Sequence, residues 1–428
     1  MAVKIGLVGT GTVGGGCIEI LQNHREDFMR HYGIDIELTR VCSRNPEEAI
    51  ARGLENIFTQ DYTEIINDPS IDIVIEVVGG TTVAKNIVCE ALRAGKNVVT
   101  ANKALMATCG EELMRLSEEV QKELFFEASV GGGISIIDPL KHSLIANQIN
   151  VVMGIVNGTT NYMLTRMAED KMSYEDALRE AQEKGFAEAD PTADVDGYDA
   201  AAKIAILASI AFNSRVTLQD VPAEGIRNIS PMDLAAAQDM GYCVKLLAHA
   251  HRTEEGIDVR VHPTMLPLDH QLSTVNGVFN AIYVVGDAVG ETMFFGEGAG
   301  SGPAASAIMG DVLECARHVQ MGIKPLVGCT CTDNLPFVHM DELKTKYYIR
   351  FAVADRAGVL ASMASVFAQH NVSVHSVMQR GQKSKDGTVD LVYVTHTARE
   401  ASVRAVLKDI KQLDDTLREE PSLIRVEA

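Results

Sequence analysis

Three observations place this sequence in the α/β class. Residues 3–9 (VKIGLVG) form an apolar strand that runs straight into a glycine turn and a helix. Apolar runs then alternate with helix-like segments as far as residue 137, the rhythm of a parallel sheet. Residues 347–428 change character and read strand, helix, strand, strand, helix, strand. The expected architecture is a Rossmann-like domain over 1–137 and an α+β domain with a mixed sheet over 138–296. A linker over 324–346 and a ferredoxin-like βαββαβ module over 347–428 complete it, and residues 297–323 are expected to return to the first domain.

A chain of 428 residues is long for one core, and two or three domains are expected. The hydrophobic content of 46% and charged content of 22% are those of a soluble globular protein. A net charge of −20 leaves no basic footprint for phosphates, which excludes a nucleic-acid partner. The N-terminus has no signal-peptide layout. The most apolar helix, near residues 200–212, is too short for a bilayer and carries Lys203, so no membrane association is expected. The eight cysteines (Cys17, Cys42, Cys89, Cys109, Cys243, Cys315, Cys329 and Cys331) form no paired CxxC set. Scattered thiols of this kind fit a reducing cytoplasm. Cys329 and Cys331, two apart, would share one face of a strand as packing residues. His249, His251, His262 and His270 lack metal-ligand spacing and read as satisfied sheet or surface histidines.

Taken in order, the first strand is followed by GTGTVGGG, in which Gly9, Gly11 and Gly14 form GxGxxG. Strand, glycine turn and helix N-terminus together make a seat for a dinucleotide pyrophosphate. The second strand, from about Ile34 to Cys42, should end at the adenine ribose, where an NAD site places an acid. Here the chain reads Cys42-Ser43-Arg44, so Arg44 and the Ser43 hydroxyl can hold a 2′-phosphate, which favours NADP over NAD. The third strand signal is residues 71–82 and the fourth is residues 96–103, KNVVTANK. Asn102 and Lys103 stand at a carboxyl strand end, where open α/β sheets bind ligands. A further strand is expected to end at Glu127, and Gly131 to Gly133 leave carbonyls free to turn toward a ligand or ion.

From residue 138 the alternation loosens. Residues 151–167 read as a strand, a polar NGTTN turn able to cap a helix or recognise a carboxylate, and that helix. The stretch GFAEADPTADVDGYDAAAK then gathers Glu188, Asp190, Asp194, Asp196 and Asp199 ahead of Lys203. AAAKIAILASIAF continues as a buried helix, so Asp199 and Lys203 stack on one face near its start. A calcium loop fails here, because its first and twelfth places hold Thr192 and Lys203. Strand-like runs between 258 and 296 predict a mixed or antiparallel sheet, and GEGAGSGPAASA opens a second glycine turn into a helix. In the tail, Leu360, Met363, Val366 and Phe367 mark one helix face, and KSKDG joins two strands. The tail carries no candidate nucleophile or base.

Over nearly its whole length the chain resembles homoserine dehydrogenase of the kind that carries a C-terminal ACT domain. The most specific element is the 185–203 stretch, supported by VGTGTVG, TANK, EASVGGG, NGTTNYML and GEGAGSGPAASA in the family's order. DRAGVLASMASVFAQHNVSV resembles ACT domains, with Ala357 where the family usually has proline. The resemblance implies NAD(P)-dependent interconversion of L-aspartate 4-semialdehyde and L-homoserine, on the route to threonine and methionine. By matched position it implies Lys203 and Lys103 as catalytic lysines. Glu188, Asp199, Asp194, Gly158 and Thr159 would serve the substrate. Gly9, Thr10, Gly11, Thr12, Val13, Gly14, Ser43, Arg44, Thr100, Asn102, Lys103 and Gly298 would serve the cofactor. Glu127 with Val130, Gly132 and Ile134 would hold a monovalent cation, sodium or potassium. A homodimer or homotetramer and an amino-acid effector such as threonine at the ACT module are also implied. The chemistry agrees: reducing an aldehyde takes a hydride and a proton, and a lysine ammonium can give the proton while stabilising the oxyanion. The alternatives are a sensor without turnover, which would be expected to lose these lysines or acids, and an amino-acid dehydrogenase releasing ammonia, which would need a different substrate pocket.

Overall fold

The computed structural model describes residues 2–325, 328–380, 387–413 and 416–427. It begins with strand β1 (Val3–Val8) and helix α1 (Thr12–Tyr32), then β2 (Ile36–Cys42), α2 (Pro46–Ile50), β3 (Phe58–Thr59) and α3 (Thr63–Asn67). Next come β4 (Ile73–Glu76), α4 (Thr82–Arg93), β5 (Asn97–Thr100), α5 (Lys103–Glu119) and β6 (Leu124–Phe125). The middle of the chain supplies β7 (Ile149–Ile155), α6 (Gly158–Glu169), α7 (Tyr174–Glu183), α8 (Thr192–Val195), α9 (Tyr198–Ala211) and α10 (Pro231–Asp239). Strands β8 (Tyr242–Thr253), β9 (Gly256–Pro267), β10 (Phe279–Gly286) and β11 (Gly290–Glu297) precede α11 (Ser301–Met321). The tail holds β12 (Lys344–Ala354), α12 (Val359–Gln369), β13 (Val374–Arg380), β14 (Thr388–Thr395), β15 (Ala398–Arg399), α13 (Glu400–Ile410) and β16 (Ser422–Val426).

By contacts the chain forms two units, residues 1–152 with 202–221 and 280–335, and residues 153–201 with 222–279 and 336–428. In the first, six parallel strands lie in the order β3-β2-β1-β4-β5-β6. The order reverses between β1 and β4, and in such sheets ligands bind outside the carboxyl ends at that point. Strands β1, β4 and β5 are buried on both faces, which explains their continuous apolar runs. The third apolar run is strand only from Ile73 to Glu76, and β3 has two residues, too few for a sequence signal. Helix α11 packs on α1, Ala305, Ile308 and Met309 meeting the core that contains Cys17, Ile18 and Leu21. Strands β11 and β10 and the first half of β7 follow one another in a second sheet of this unit.

In the second unit the strand order is β7-β8-β9-β16-β12-β14-β13. Strands β8 and β9 form a long antiparallel hairpin, from Tyr242 opposite Pro267 to Thr253 opposite Gly256. The tail's order β16-β12-β14-β13 is that of a ferredoxin-like module, with α12 and α13 on one face of its sheet. Its core joins Tyr347, Ile349 and Phe351 to Val359, Met363, Val366 and Phe367 and to Val403, Val406 and Ile410. Leu360, expected on the buried face of α12, is 51% exposed, and Val359 fills that place. On the opposite face of β12, the Tyr348 hydroxyl (2.9 Å) and Arg350 Nε (2.8 Å) both donate to the fully buried Asp233 of α10. Strand β16 also runs parallel to β9, Arg425 opposite Thr264, so one sheet continues from the module into the β8–β9 hairpin. Most of the KSKDG turn, residues 383–386, lies outside the described residues, as do Leu326 and Val327 of the linker.

Candidate active site

Most of the candidate site residues lie at or just beyond the ends of strands, divided between the two units. At the end of β1, Gly9 turns the chain with φ +107°, and a side chain on Gly14 would collide with the Gly9 carbonyl. The position of a Cβ on Gly11 has nothing within 4 Å. Gly11 also caps α1 with no side-chain hydrogen bond, which leaves the first-turn amides of Thr12 and Val13 without a side-chain cap. Such a bare helix N-terminus suits a pyrophosphate. Thr10 is turned inward, its hydroxyl donating to the Glu48 carboxylate at 2.7 Å, so its side chain serves the turn. The Arg52 guanidinium lies against α1 at Gly15, a cation beside the seat that the sequence reading missed because it comes from the far end of α2.

At the end of β2, Ser43 Oγ accepts the Asn45 amide (3.2 Å), and Asn45 in turn caps α2. Arg44 is exposed, and among the described residues its guanidinium has no partner. The absence of an acid here holds for the strand end itself, but α2 brings the Glu48 carboxylate to the glycine turn. Burial, with Asp61 and Glu64 adding to it, pushes the Cys42 thiol up to about 11, so it is a packing group.

At the ends of β4 and β5, the buried Glu76 carboxylate accepts the Thr100 hydroxyl (2.6 Å) and the Val78 amide (2.9 Å). Burial raises its pKa against the pull of those bonds. Asn102 caps α5 by accepting the Leu105 amide at 3.1 Å and donates to the Gly80 carbonyl at 2.6 Å. The side chains of Thr100 and Asn102 therefore tie two strand-end loops together, while the exposed Lys103 opens α5 beside them. Glu76 was missed; its signal was an acid inside the apolar run IDIVIEVV.

Strand β6 ends at Phe125, earlier than expected, and Glu127 opens a 3-10 turn. The reason is its carboxylate, which accepts the amides of Ile136 (2.6 Å), Ile137 (2.9 Å) and Asp138 (2.6 Å). Its own amide donates to Asp311 Oδ2 at 2.9 Å. Burial raises the pKa of Glu127 and raises that of Asp311 strongly. Between them the chain reverses through Gly131 and Gly132, with φ of +75° and +52°. Gly132 abuts the Gly298 carbonyl and Gly298 abuts the Asn280 amide, so both are close-packing positions. The three amides take three of the carboxylate's roughly four lone-pair directions, so the backbone fixes the Glu127 side chain in place.

Asn157 caps α6, with Gly158 as the helix's first residue. The Thr159 hydroxyl donates to the Phe186 carbonyl at 2.5 Å and holds the 185–190 loop. The Asn157 carboxamide donates to Asp194 Oδ1 at 2.7 Å and to Asp199 Oδ2 at 2.8 Å. Asp199 and Lys203 are 6% and 7% exposed and stand one turn apart on α9. The acid-rich stretch thus divides by role. Asp194 and Asp199 are drawn together; Asp196 pairs with Arg227 (Nη2 at 3.1 Å); and Asp190 accepts the Thr192 amide at 3.1 Å. Glu188 stays exposed, and among the described residues its carboxylate makes no hydrogen bond or ion pair.

Helices α5 and α9 line one cavity of the first unit through Met106, Met114, Ile206 and Ile210, and Cys329 and Cys331 close it. These cysteines lie in an irregular segment and not on a strand, and the Cys331 thiol donates to the Ser209 carbonyl at 3.5 Å. His249 stacks on His262 at 4.8 Å, and burial pushes both well below the ordinary imidazole range. His262 is bonded on both ring nitrogens, but Nδ1 of His249 has no partner, so only part of that group is satisfied. His270 Nδ1 accepts the Leu272 amide at 3.1 Å. Among the described residues no helix is long and apolar enough to cross a membrane, and no three His, Cys, Asp or Glu side chains form a metal-holding group.

Three family models match the chain. One described as the homoserine dehydrogenase NAD-binding domain covers residues 9–127, one described as homoserine dehydrogenase covers 136–313, and the ACT domain covers 347–415. The chain is similar to the homoserine dehydrogenase of Synechocystis, 42% identical with all of both chains covered, and to that of Bacillus subtilis, 40% identical over 100% of this chain and 98% of the relative. Among solved structures, a homoserine dehydrogenase from Thiobacillus denitrificans superposes with a TM-score of 0.92 at 37% identity, over 100% of this chain and 98% of that one. A hyperthermophilic archaeal homoserine dehydrogenase in complex with NADPH matches 76% of this chain and all of its own, with a TM-score of 0.64 at 27% identity.

Proposed function

The chain belongs to the homoserine dehydrogenase family, oxidoreductases that interconvert L-aspartate 4-semialdehyde and L-homoserine with a nicotinamide cofactor, and on that footing we propose how its residues divide the work. Lys203 is the general acid/base, giving its proton to the developing alkoxide in reduction and taking it back in oxidation. Lys103 polarises the same oxygen and stabilises its charge. Asp194 and Asp199, with Glu188 from the neighbouring loop, receive the substrate's α-ammonium, and the helix start at Gly158 and Thr159 meets its carboxylate. The observation that carries this reading is the burial of Lys203 one turn beyond Asp199, whose carboxylate is fixed by Asn157 at 2.8 Å.

The cofactor, when bound, supplies and accepts the hydride. The amides of Thr12 and Val13, with Gly9, Thr10, Gly11 and Gly14 shaping the turn, hold its pyrophosphate. Thr100, Asn102, Lys103 and Gly298 frame the rest of the pocket. The exposed Arg44 guanidinium, with Ser43, favours NADP over NAD, and the archaeal relative solved with NADPH supports that preference. A monovalent cation, sodium or potassium, would be held by Glu127 and the carbonyls of Val130, Gly132 and Ile134, in the turn whose Gly132 packs on Gly298. The ACT module binds an amino-acid effector such as threonine, the enzyme works as a cytoplasmic homodimer or homotetramer, and its product feeds threonine and methionine synthesis.

The test is Lys203→Met, assayed by NADPH oxidation with aspartate 4-semialdehyde. Turnover should fall by ~10²–10⁴-fold with KM little changed. A raised KM with intact turnover would make Lys203 a binding group and remove it from the proton transfer.

A further inference from the structure

Helices α5 and α9 carry Lys103 and Lys203, and one turn further along each, at Met106 and Ile206, both line the same cavity. Residues 328–331 close it, and their two cysteines are tied to opposite walls. The Cys329 amide donates to Glu118 Oε1 of α5 at 2.6 Å, and the Cys331 thiol donates to the Ser209 carbonyl of α9 at 3.5 Å. The two thiols also hydrogen-bond one another, so the pair is a clasp between the helices.

The surroundings of this pair set it apart. Burial raises the thiols of Cys17, Cys42, Cys89, Cys243 and Cys315, which makes them inert packing groups. Cys329 is instead lowered to about 6, first by the hydrogen bond from the Cys331 thiol, then by the Cys331 amide and the Arg215 guanidinium. Cys331 is pushed up by the same contact and keeps its proton. Lys141 and Arg215 both line the cavity, and the Lys141 ammonium sits over the Phe126 ring at 5.5 Å. Both cysteines are partly exposed. The cavity measures about 40 Å³, room for a molecule the size of a peroxide and too little for a bulky disulfide. A partly exposed thiolate beside cations and a second thiol is the arrangement of a redox-sensitive pair.

We propose that Cys329 and Cys331 form a reversible oxidation site, at which a small peroxide converts the dithiol to a disulfide and so disturbs the two helices that present Lys103 and Lys203. The Cys329 sulfur attacks one peroxide oxygen; the O–O bond breaks, an S–O bond forms, and the departing hydroxide takes a proton from solvent. The Cys331 sulfur then attacks the Cys329 sulfur. The S–S bond forms as the S–O bond breaks, and the second hydroxide leaves with the Cys331 proton. One hydrogen peroxide is thereby reduced to two waters while two thiols are oxidised to one disulfide. With that bond closed, Cys331 has no proton for the Ser209 carbonyl, and the tight ring re-sets the backbone whose amide holds Glu118. The site stands on the cavity and its side chains; only the expected loss of turnover rests on the roles proposed for the two lysines.

In the test, full-length enzyme is treated with a small excess of hydrogen peroxide, its remaining thiols are alkylated, and the peptides are read by mass. An intramolecular Cys329–Cys331 disulfide is expected, with a ~10–100-fold fall in aspartate 4-semialdehyde reduction, and dithiothreitol should reverse both. Cys331→Ser should stop at a Cys329 sulfenic acid that dimedone traps. Cys329→Ser should keep its turnover under peroxide, and before oxidation both variants should match the unaltered enzyme. The proposal is overturned if the pair stays reduced while other thiols oxidise, or if the disulfide forms and turnover is unchanged. It is equally overturned if Cys329→Ser loses turnover to peroxide as fast as the unaltered enzyme. These failures are separate from a failure of the lysine assignment, which Lys203→Met reads in the reduced enzyme.

Discussion

Two buried carboxylate clusters, one in each unit, use the same side chains in opposite ways. In the second unit Glu400, fully buried, and Glu224 share Arg425, which donates to Glu224 at 2.6 and 3.0 Å and to Glu400 at 3.0 Å. Arg404 adds a bond to each acid, at 2.6 and 2.9 Å. Burial alone would raise the Glu224 carboxyl, but the arginines outweigh it and hold the group below its usual range. In the first unit Glu127 is gripped by backbone amides, and Asp311, which takes the Glu127 amide, is pushed well up by burial. Arginines close a cluster, whereas neutral amides fix a carboxylate and leave its charge in play. A closed cluster is a structural joint; an amide-held one is the place where the proposed cation would sit.

The largest effect expected of this contrast comes from removing the arginine. Arg425→Met takes the main partner from the fully buried Glu400 and from the half-exposed Glu224, leaving only Arg404 between them, and thermal or urea unfolding should show a loss of up to ~3–5 kcal/mol. A loss below 1 kcal/mol would mean that water reaches the cluster and that it is not closed. Glu127→Gln is the milder counterpart: its amide group would face the donors that the carboxylate now satisfies, at a cost of ~1–3 kcal/mol. Turnover in that variant should lose any difference between sodium and choline chloride at equal ionic strength, whereas the unaltered enzyme should be faster in sodium. If both respond alike, the cation does not sit at Glu127.

The smallest effect is in pH, where the two clusters should have opposite signs. Glu224 has a lowered folded-state pKa, so its stabilisation is present above the ordinary carboxylate range and disappears as pH falls through the folded value. Glu127 and Asp311 have raised folded-state values, so their protonated forms favour folding at low pH, and that contribution is lost as pH rises from the ordinary range through the folded values. Melting temperature against pH should therefore lose part of its acid limb in Glu224→Gln and part of its decline above that range in Glu127→Gln. Matching profiles would erase the distinction.

The parallel sheet was legible because β1, β4 and β5 are covered on both faces and so leave unbroken apolar runs. Strand β8 was not singled out, although it is twelve residues long. Its pattern is interrupted by Lys245, His249 and His251, polar groups that the fold buries or half-buries. Lys245 is buried by donating to the Val275 carbonyl (2.6 Å) and Asn276 Oδ1 (2.8 Å), partners thirty residues or more away in sequence. The phase of α12 was misjudged by one residue because Val359 and Leu360 are equally apolar, and only the packed sheet decides which turns inward. The glycine turn and the acid-rich stretch are visible as motifs, since their chemistry is crowded into a few positions. The grip of Asn157 is not visible, because its two acids lie 37 and 42 residues downstream and hydrogen bonds over that span leave no local pattern.

Strand β16 lies between β12 and β9, and this has a consequence for any shortened form of the chain. The ACT module cannot be trimmed off as an appendage, because its last strand pairs with the end of β9 at Thr264 and Met265. A chain ending before residue 347 would uncover the end of β9 at Thr264 and Met265, and an open strand end can recruit strands from other molecules. Loss of the tail would then first be seen as aggregation, and an assay of deregulation would have to be read against a falling concentration of soluble enzyme.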